Sequence, residues 1–179
     1  MKLIVVFCKN RGIGFQNSLP WILKSDLKRF QHLTIGNGNN AIIMGRNTWD
    51  SLPDKYKPLP KRTNIILSSQ YFPSSQVFSS LEDAKLFCDE KKFDDIWIIG
   101  GEKLYNYAID KQYITDIYTT EINKNYVCDA FFPPIPTDFI HTSTHSNLKE
   151  NDMTFKFETF SKKNLLPSLE IQIYDCFPP

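Results

Sequence analysis

The chain has 179 residues, 41% hydrophobic and 14% aromatic, which suits one globular domain with a sizeable core. Its formal net charge is +1 and its pI about 7.6, so there is no electrostatic case for a nucleic acid or an anionic membrane as partner. A small molecule is the expected partner. Cys8, Cys88, Cys128 and Cys176 are scattered with no CxxC pair, as in reduced cytoplasmic proteins, and His32, His141 and His145 show no zinc-ligand spacing.

The opening "MKLIVVFCK" has one lysine and then a short apolar run before Lys9. That is short for a secretory leader and far too short to span a bilayer, so it predicts a buried first strand over 3–7. The next element is a helix over 25–34, with Leu27, Phe30 and Leu33 on one face. At 100° per residue Asp26 falls on that apolar face, between Phe30 and Leu33. An acid in a first helical turn has an ordinary reading, favoured by the helix dipole or paired with Arg29 three residues on. Its inward direction instead asks for a partner that ionises or hydrogen-bonds with it.

Further apolar runs predict strands over 41–44, 64–67, 77–78 and 96–100, with helices over 48–52, 81–91 and 102–110 between and after them. The alternation predicts a single α/β domain with a central, mostly parallel twisted sheet and helices on both faces. "TDIYTTEI" and "MTFKFETF" alternate in polarity and predict an antiparallel addition at the C-terminal edge. The tail, 164–179, reads as an extra strand or a linker beyond a domain of residues 1–163.

In such sheets ligands bind at the carboxyl ends of the strands. Those ends carry Gly45-Arg46-Asn47-Thr48, Ser68-Ser69, Ser79-Ser80 and Gly100-Gly101. Singly each is ordinary: Ser79 or Ser80 heads a capping pattern, Gly-Gly is a turn outside any GxGxxG, and Arg46 is a surface cation. Together they supply glycine turns, hydroxyls and a guanidinium, the equipment for phosphate binding. Arg62, ahead of the third strand, is either a surface cation or a bidentate grip for a carboxylate.

In chain order, "GIG" (Gly12–Gly14), "LPW" (Leu19–Trp21) with Asp26 beyond it, "MGRNTWDSLP", "PLPKRTNIILSSQ", "IWIIGGEKLY" and "FFP" resemble the dihydrofolate reductase family. The resemblance runs over roughly 1–163. It implies reduction of 7,8-dihydrofolate to tetrahydrofolate by hydride transfer from NADPH to pterin C6, with protonation of N5. It puts Asp26 on the pterin and gives Trp21 and Leu19 catalytic neighbourhood roles, Trp21 positioning a water. Substrate would contact Ile4, Val5, Val6, Leu27, Phe30, Gln31, Leu52, Leu59, Ile99 and Tyr105, with Arg62 on the glutamate carboxylate. Cofactor would run along Val6, Ile13, Gly14, Asn17, Ser18, Leu19, Gly45, Arg46, Asn47 and Thr48. It would continue over Leu67, Ser68, Ser69, Ser80, Ile99, Gly100, Gly101, Glu102, Lys103, Leu104 and Tyr105. No metal is implied. Antifolates are expected ligands, and a fused or associated thymidylate synthase is the partner that some relatives have. The competing readings are a pteridine or riboflavin-pathway reductase of the same fold and a non-catalytic folate- or nucleotide-binding module.

Three positions depart from the family pattern. Ala130 stands where a threonine is expected before "FFP", which on this reading leaves Asp26 one polar partner short. Val6 replaces an alanine between pterin and nicotinamide, narrowing that corner for rigid antifolates. Ser69 and Ser79 stand where many members have a second cation near the adenosine 2′-phosphate, leaving Arg46 as the main one and a smaller preference for NADPH.

Overall fold

Apolar runs of four or five residues build the middle of one twisted sheet, in a computed structural model that describes residues 1–73 and 75–163. In chain order the elements are β1 (Lys2–Cys8), β2 (Gly12–Gly14), α1 (Lys24–Ile35), β3 (Ala41–Gly45) and α2 (Arg46–Ser51). They continue with β4 (Thr63–Leu67), β5 (Gln76–Phe78), α3 (Leu81–Lys91), β6 (Ile96–Gly100) and α4 (Glu102–Asp110). Last come β7 (Asp116–Ile122), β8 (Ala130–Phe131), β9 (Phe139–Glu150) and β10 (Met153–Lys162). The main sheet runs β5-β4-β3-β6-β1-β7-β10-β9. The tail that reads as strand or linker lies outside the described residues.

The fold is the expected α/β domain with its antiparallel addition at the edge. "TDIYTTEI" joins the two parts: β7 pairs parallel with β1, Val6 beside Thr120, and antiparallel with β10, which pairs antiparallel with β9 in turn. Thr119 and Thr120 are fully buried, so this strand, covered on both faces, carries the polar letters of a half-exposed one.

Side chains alternate across the pleat and divide the core in two. Ile4, Ile42, Met44, Ile66 and Trp97 pack on one face with Phe30 and Leu33 of α1 and Trp49 of α2. Leu3, Val5, Ala41, Ile43, Ile65 and Ile98 pack on the other with Leu81 and Ala84 of α3 and Leu104 and Ala108 of α4. Helix α1 has no side-chain cap of its own at Leu23. The Glu150 carboxylate accepts from the backbone N–H groups of Lys24 (2.6 Å) and Ser25 (2.8 Å) instead, so β9 fixes where the helix begins. Among the described residues no helix is long and apolar enough to cross a membrane.

Strands β2 and β8 form a separate two-stranded ladder beside the end of β1. Gly12 is buried there because nothing larger fits: a Cβ would lie against Cys128, 2.6 Å from its Cβ, and 3.1 Å from Cys8 Sγ. Gly12→Ala is therefore expected to destabilise the fold by about 1–3 kcal/mol, the usual cost of overpacking. Denaturant unfolding measures this directly, with Gly38→Ala as a strain-only control, since the left-handed Gly38 has open space around its Cα.

Candidate active site

Asp26 sits one turn into α1, only 9% exposed, facing β7. Thr120 Oγ1 donates a 2.6 Å hydrogen bond to its Oδ1, while Oδ2 has no hydrogen-bond partner among the described residues. Burial disfavours the anion and pushes the carboxyl above the usual carboxylate range; the Thr120 bond and the nearby Arg29 cation pull the other way. A carboxyl of this kind can keep or release a proton nearer neutrality than a surface acid.

This geometry corrects two expectations. Ala130 is not the position facing Asp26: it lies in β8, paired with Gly14. The threonine comes from β7, so the acid keeps its polar partner. Arg29 does not form an ion pair with Asp26 either. Its Nη1 donates to the Thr119 carbonyl (3.0 Å) and to Thr120 Oγ1 (3.2 Å), and its Nη2 to the Glu158 carbonyl (3.4 Å).

Around the acid, Ile4, Phe30, Leu52, Leu59 and Ile99 share one apolar cluster on the α1 face. Leu27 is 53% exposed although it precedes a buried helical stripe, and Gln31 is exposed on the same helix. The pleat turns the Val5 side chain into the core under α3 and α4, so it shares the Asp26 face through its backbone. Tyr105 comes from that opposite side, where its buried hydroxyl donates to the Ile4 carbonyl (2.9 Å). Val6 is half-buried beside Trp21, and Trp21 Nε1 is a buried donor with no partner among the described residues. Arg62 donates from Nε to the Pro60 carbonyl (3.0 Å) and from Nη1 to Thr34 Oγ1 (2.6 Å), with its Cζ 5.6 Å from the Phe30 ring centroid. No carboxylate lies within ion-pair distance of it among the described residues.

The strand-end segments are equally mixed. Gly45 and Gly101 approach closely: a Cβ on Gly45 would meet Gly101 N at 4.0 Å, and one on Gly101 would meet Thr48 Oγ1 at 3.3 Å. Neither α2 nor α4 has a side-chain cap, so their first N–H groups stay free beside these glycines. Asn47, Ser69 and Lys103 are exposed, while Thr48, Leu67, Ser68 and Glu102 are half-buried. The Leu104 side chain belongs to the core under α3 and α4. The Ser80 hydroxyl caps α3, accepting from Asp83 N–H (3.1 Å), so its ordinary reading holds. Arg46 pairs loosely with Asp50 (3.3 Å) on the surface. Between Gly14 and Leu19 the chain forms a tight hairpin, Phe15 and Ser18 exchanging backbone hydrogen bonds and Gln16 and Asn17 taking positive φ. Asp129 accepts from Gln16 N–H at 2.9 Å, and Leu19 is 49% exposed. Ile13 packs against the α3 and α4 core.

A buried acid beside an apolar cluster, with glycine-lined strand ends on the same sheet, is the arrangement of a small-molecule enzyme of the α/β class. The family model for dihydrofolate reductase matches residues 1–162. The chain is 36% identical to a dihydrofolate reductase from Aedes albopictus, covering 89% of this chain and 96% of that one. It is 34% identical to those of Drosophila melanogaster (89% and 96%) and Gallus gallus (90% and 96%). The chain belongs to the dihydrofolate reductase family. It is an oxidoreductase, dihydrofolate reduction is its reaction, and a nicotinamide cofactor is its redox partner.

Reading by spacing missed Thr120 and Thr34, which bond Asp26 and Arg62, and paired Arg29 with the acid itself rather than with Thr120. The one local signal for Thr120 was a pair of adjacent threonines in the middle of a strand.

Proposed function

We propose that the chain reduces 7,8-dihydrofolate to 5,6,7,8-tetrahydrofolate with NADPH as hydride donor. The observation that carries this reading is Asp26: buried, anchored at Oδ1 by Thr120, and free at Oδ2 to hold a polar edge of the substrate. On this reading Oδ2 meets the 2-amino group and N3 of the pterin. Ile4, Leu27, Phe30 and Leu52 close apolar walls around the ring, and exclusion of water strengthens the carboxyl contact. Arg62, held only by neutral oxygens, receives the α-carboxylate of the glutamate tail. Trp21 Nε1 holds the water that delivers a proton toward N5. The bulk of Val6 narrows the corner against rigid antifolates.

The strand ends fit a dinucleotide. The paired glycines leave room for close backbone approach, and the uncapped starts of α2 and α4 offer N–H groups to phosphate oxygens. When bound, NADPH supplies the hydride. The chain's own part is to align two rings, and the 14–19 hairpin is placed to gate the nicotinamide end. Arg46 is the cation offered to a 2′-phosphate.

The test is absorbance of NADPH with dihydrofolate present and absent. Substrate-dependent oxidation is expected, and its absence refutes the reading. With Arg46 exposed and unassisted by a second cation, kcat/KM is expected to favour NADPH over NADH by only about tenfold, one charge-assisted hydrogen bond. Arg46→Gln is expected to bring the two cofactors near parity, and an unchanged ratio would show that another group reads the phosphate. The non-catalytic alternative loses its support, since it leaned on a missing threonine partner that Thr120 supplies.

A further inference from the structure

The polar layer beneath Asp26 is a directed chain. Thr120 Oγ1 owns one proton and two lone pairs. Arg29 Nη1 gives it a hydrogen bond at 3.2 Å and, as a guanidinium, can only donate. One lone pair of Thr120 is thereby occupied, and its one proton goes to Asp26 Oδ1 at 2.6 Å. The arrangement is stiff. Nη1 is also held by the Thr119 carbonyl and Nη2 by the Glu158 carbonyl, and the guanidinium carbon lies 4.5 Å from the Phe157 ring centroid. The register explains the meeting: Val6, Thr120 and Phe157 are neighbours across β1, β7 and β10, on the face that α1 covers.

We propose that Arg29 is a positioning residue for the acid: through Thr120 it fixes Oδ1 as an acceptor and leaves Oδ2, the oxygen without a partner among the described residues, as the only atom that carries the proton. Were Oδ1 protonated instead, it would have to donate to Thr120, whose own proton would then be buried without an acceptor. The inference rests on the proposed role of Asp26 at the pterin.

Other charged or titratable groups around the layer are accounted for. Glu150 on β9 is spent on the start of α1, and it raises the affinity of Asp26 for its proton. On β10 the Glu158 carboxylate pairs with Lys156 and His141, leaving only its carbonyl to Arg29. Lys156 also pairs with Glu121 on β7. From β7, Tyr118 lies 5.9 Å from the Arg29 guanidinium carbon, ring centroid to Cζ. From α4, the Tyr105 hydroxyl is committed to Ile4. Arg29 is thus the one cation within reach of the Thr120–Asp26 bond among the described residues.

The experiment is a pH titration of the Asp26 carboxyl by carbon-13 NMR on the folded protein, assigned by the signal that Asp26→Asn removes. It is run on four proteins: the parent, Arg29→Met, Thr120→Val, and the double variant. Arg29→Met keeps the stem and removes the donors. It is expected to raise the Asp26 midpoint by about one pH unit, a tenfold change in dissociation constant. In the Thr120→Val background the same substitution is expected to move it less than about threefold, because the intermediary is gone. Arg29→Lys, which retains a donor, is expected to recover part of the parent midpoint, and guards against a packing effect of Met. An unmoved midpoint in Arg29→Met, or an equal shift with and without Thr120, overturns the proposal; the second outcome would leave Arg29 as a plain nearby charge. Turnover by Asp26→Asn is scored separately. If it persists, the role of Asp26 at the pterin fails, whatever the titration shows.

Discussion

Asp26→Asn is expected to lower dihydrofolate turnover by about 10²–10⁴-fold near neutral pH, the range for loss of a positioned acid–base group. The same change is expected to stabilise the protein. Burial holds the folded carboxyl above its ordinary range, so between the ordinary and the raised value the folded chain keeps a proton that the unfolded chain has lost. Stability contributed by that proton is full below the unfolded value and falls as pH rises through the folded one. Asn cannot ionise, and its Oδ1 still accepts from Thr120. Its advantage is therefore expected to be absent in acid, to grow across the interval, and to level off above it. A gain of about 1 kcal/mol would raise Tm by roughly 2–4 °C in a chain of this size. Thermal melts of both proteins over a pH series check this; a Tm difference that is flat with pH would show that the parent carboxyl is not perturbed by folding. Activity and stability pull apart at this residue because a charge-competent group is kept in a place that favours a neutral one.

That conflict is also why Asp26 was visible from sequence. An acid on an apolar helical face contradicts its local pattern, and the contradiction needed no knowledge of the fold. The doubly covered strands β1, β3, β4 and β6 were legible for a related reason: consecutive apolar letters have one simple explanation. What stayed hidden depends on pairing across long chain separations. Thr120 is 94 residues from Asp26, and it reaches the acid only because β7 lies beside β1. Spacing along the chain carries no record of that neighbour, and the family pattern was laid on the wrong residue when the acid's threonine was sought at Ala130. Nor does spacing say which of two adjacent strand residues faces α1: the pleat gives Ile4 to that face and the Val5 side chain to the other. Strand β9 was missed because it is a polar outer edge, and β2 and β8 because three and two residues leave no periodicity to read.

Arg62→Met is expected to raise KM for dihydrofolate about 10–100-fold with a much smaller change in kcat. The physical basis is the way the guanidinium is held. Pro60 and Thr34 take Nε and Nη1 with neutral oxygens, which aims the group while leaving its charge uncompensated, and Nη2 has no partner among the described residues. Such a cation, half-buried against the Phe30 ring, gains most from a carboxylate arriving with the ligand, a charge-assisted bond of about 1.5–3 kcal/mol. Because the glutamate tail is remote from the reacting carbon, that energy acts on ground and transition states alike, and its loss belongs in KM. A dihydropterin without the glutamate discriminates: it lacks the carboxylate, so the parent and Arg62→Met should reduce it with similar efficiency. Were Arg62→Met to damage both substrates equally, Arg62 would be bracing the 58–62 turn through its Pro60 bond, and the tail would be bound elsewhere. Thr34→Val sharpens the same point. It removes the hydroxyl that accepts from Nη1 and donates to the Phe30 carbonyl while leaving the guanidinium in place, and is expected to weaken dihydrofolate binding less than Arg62→Met, chiefly in KM.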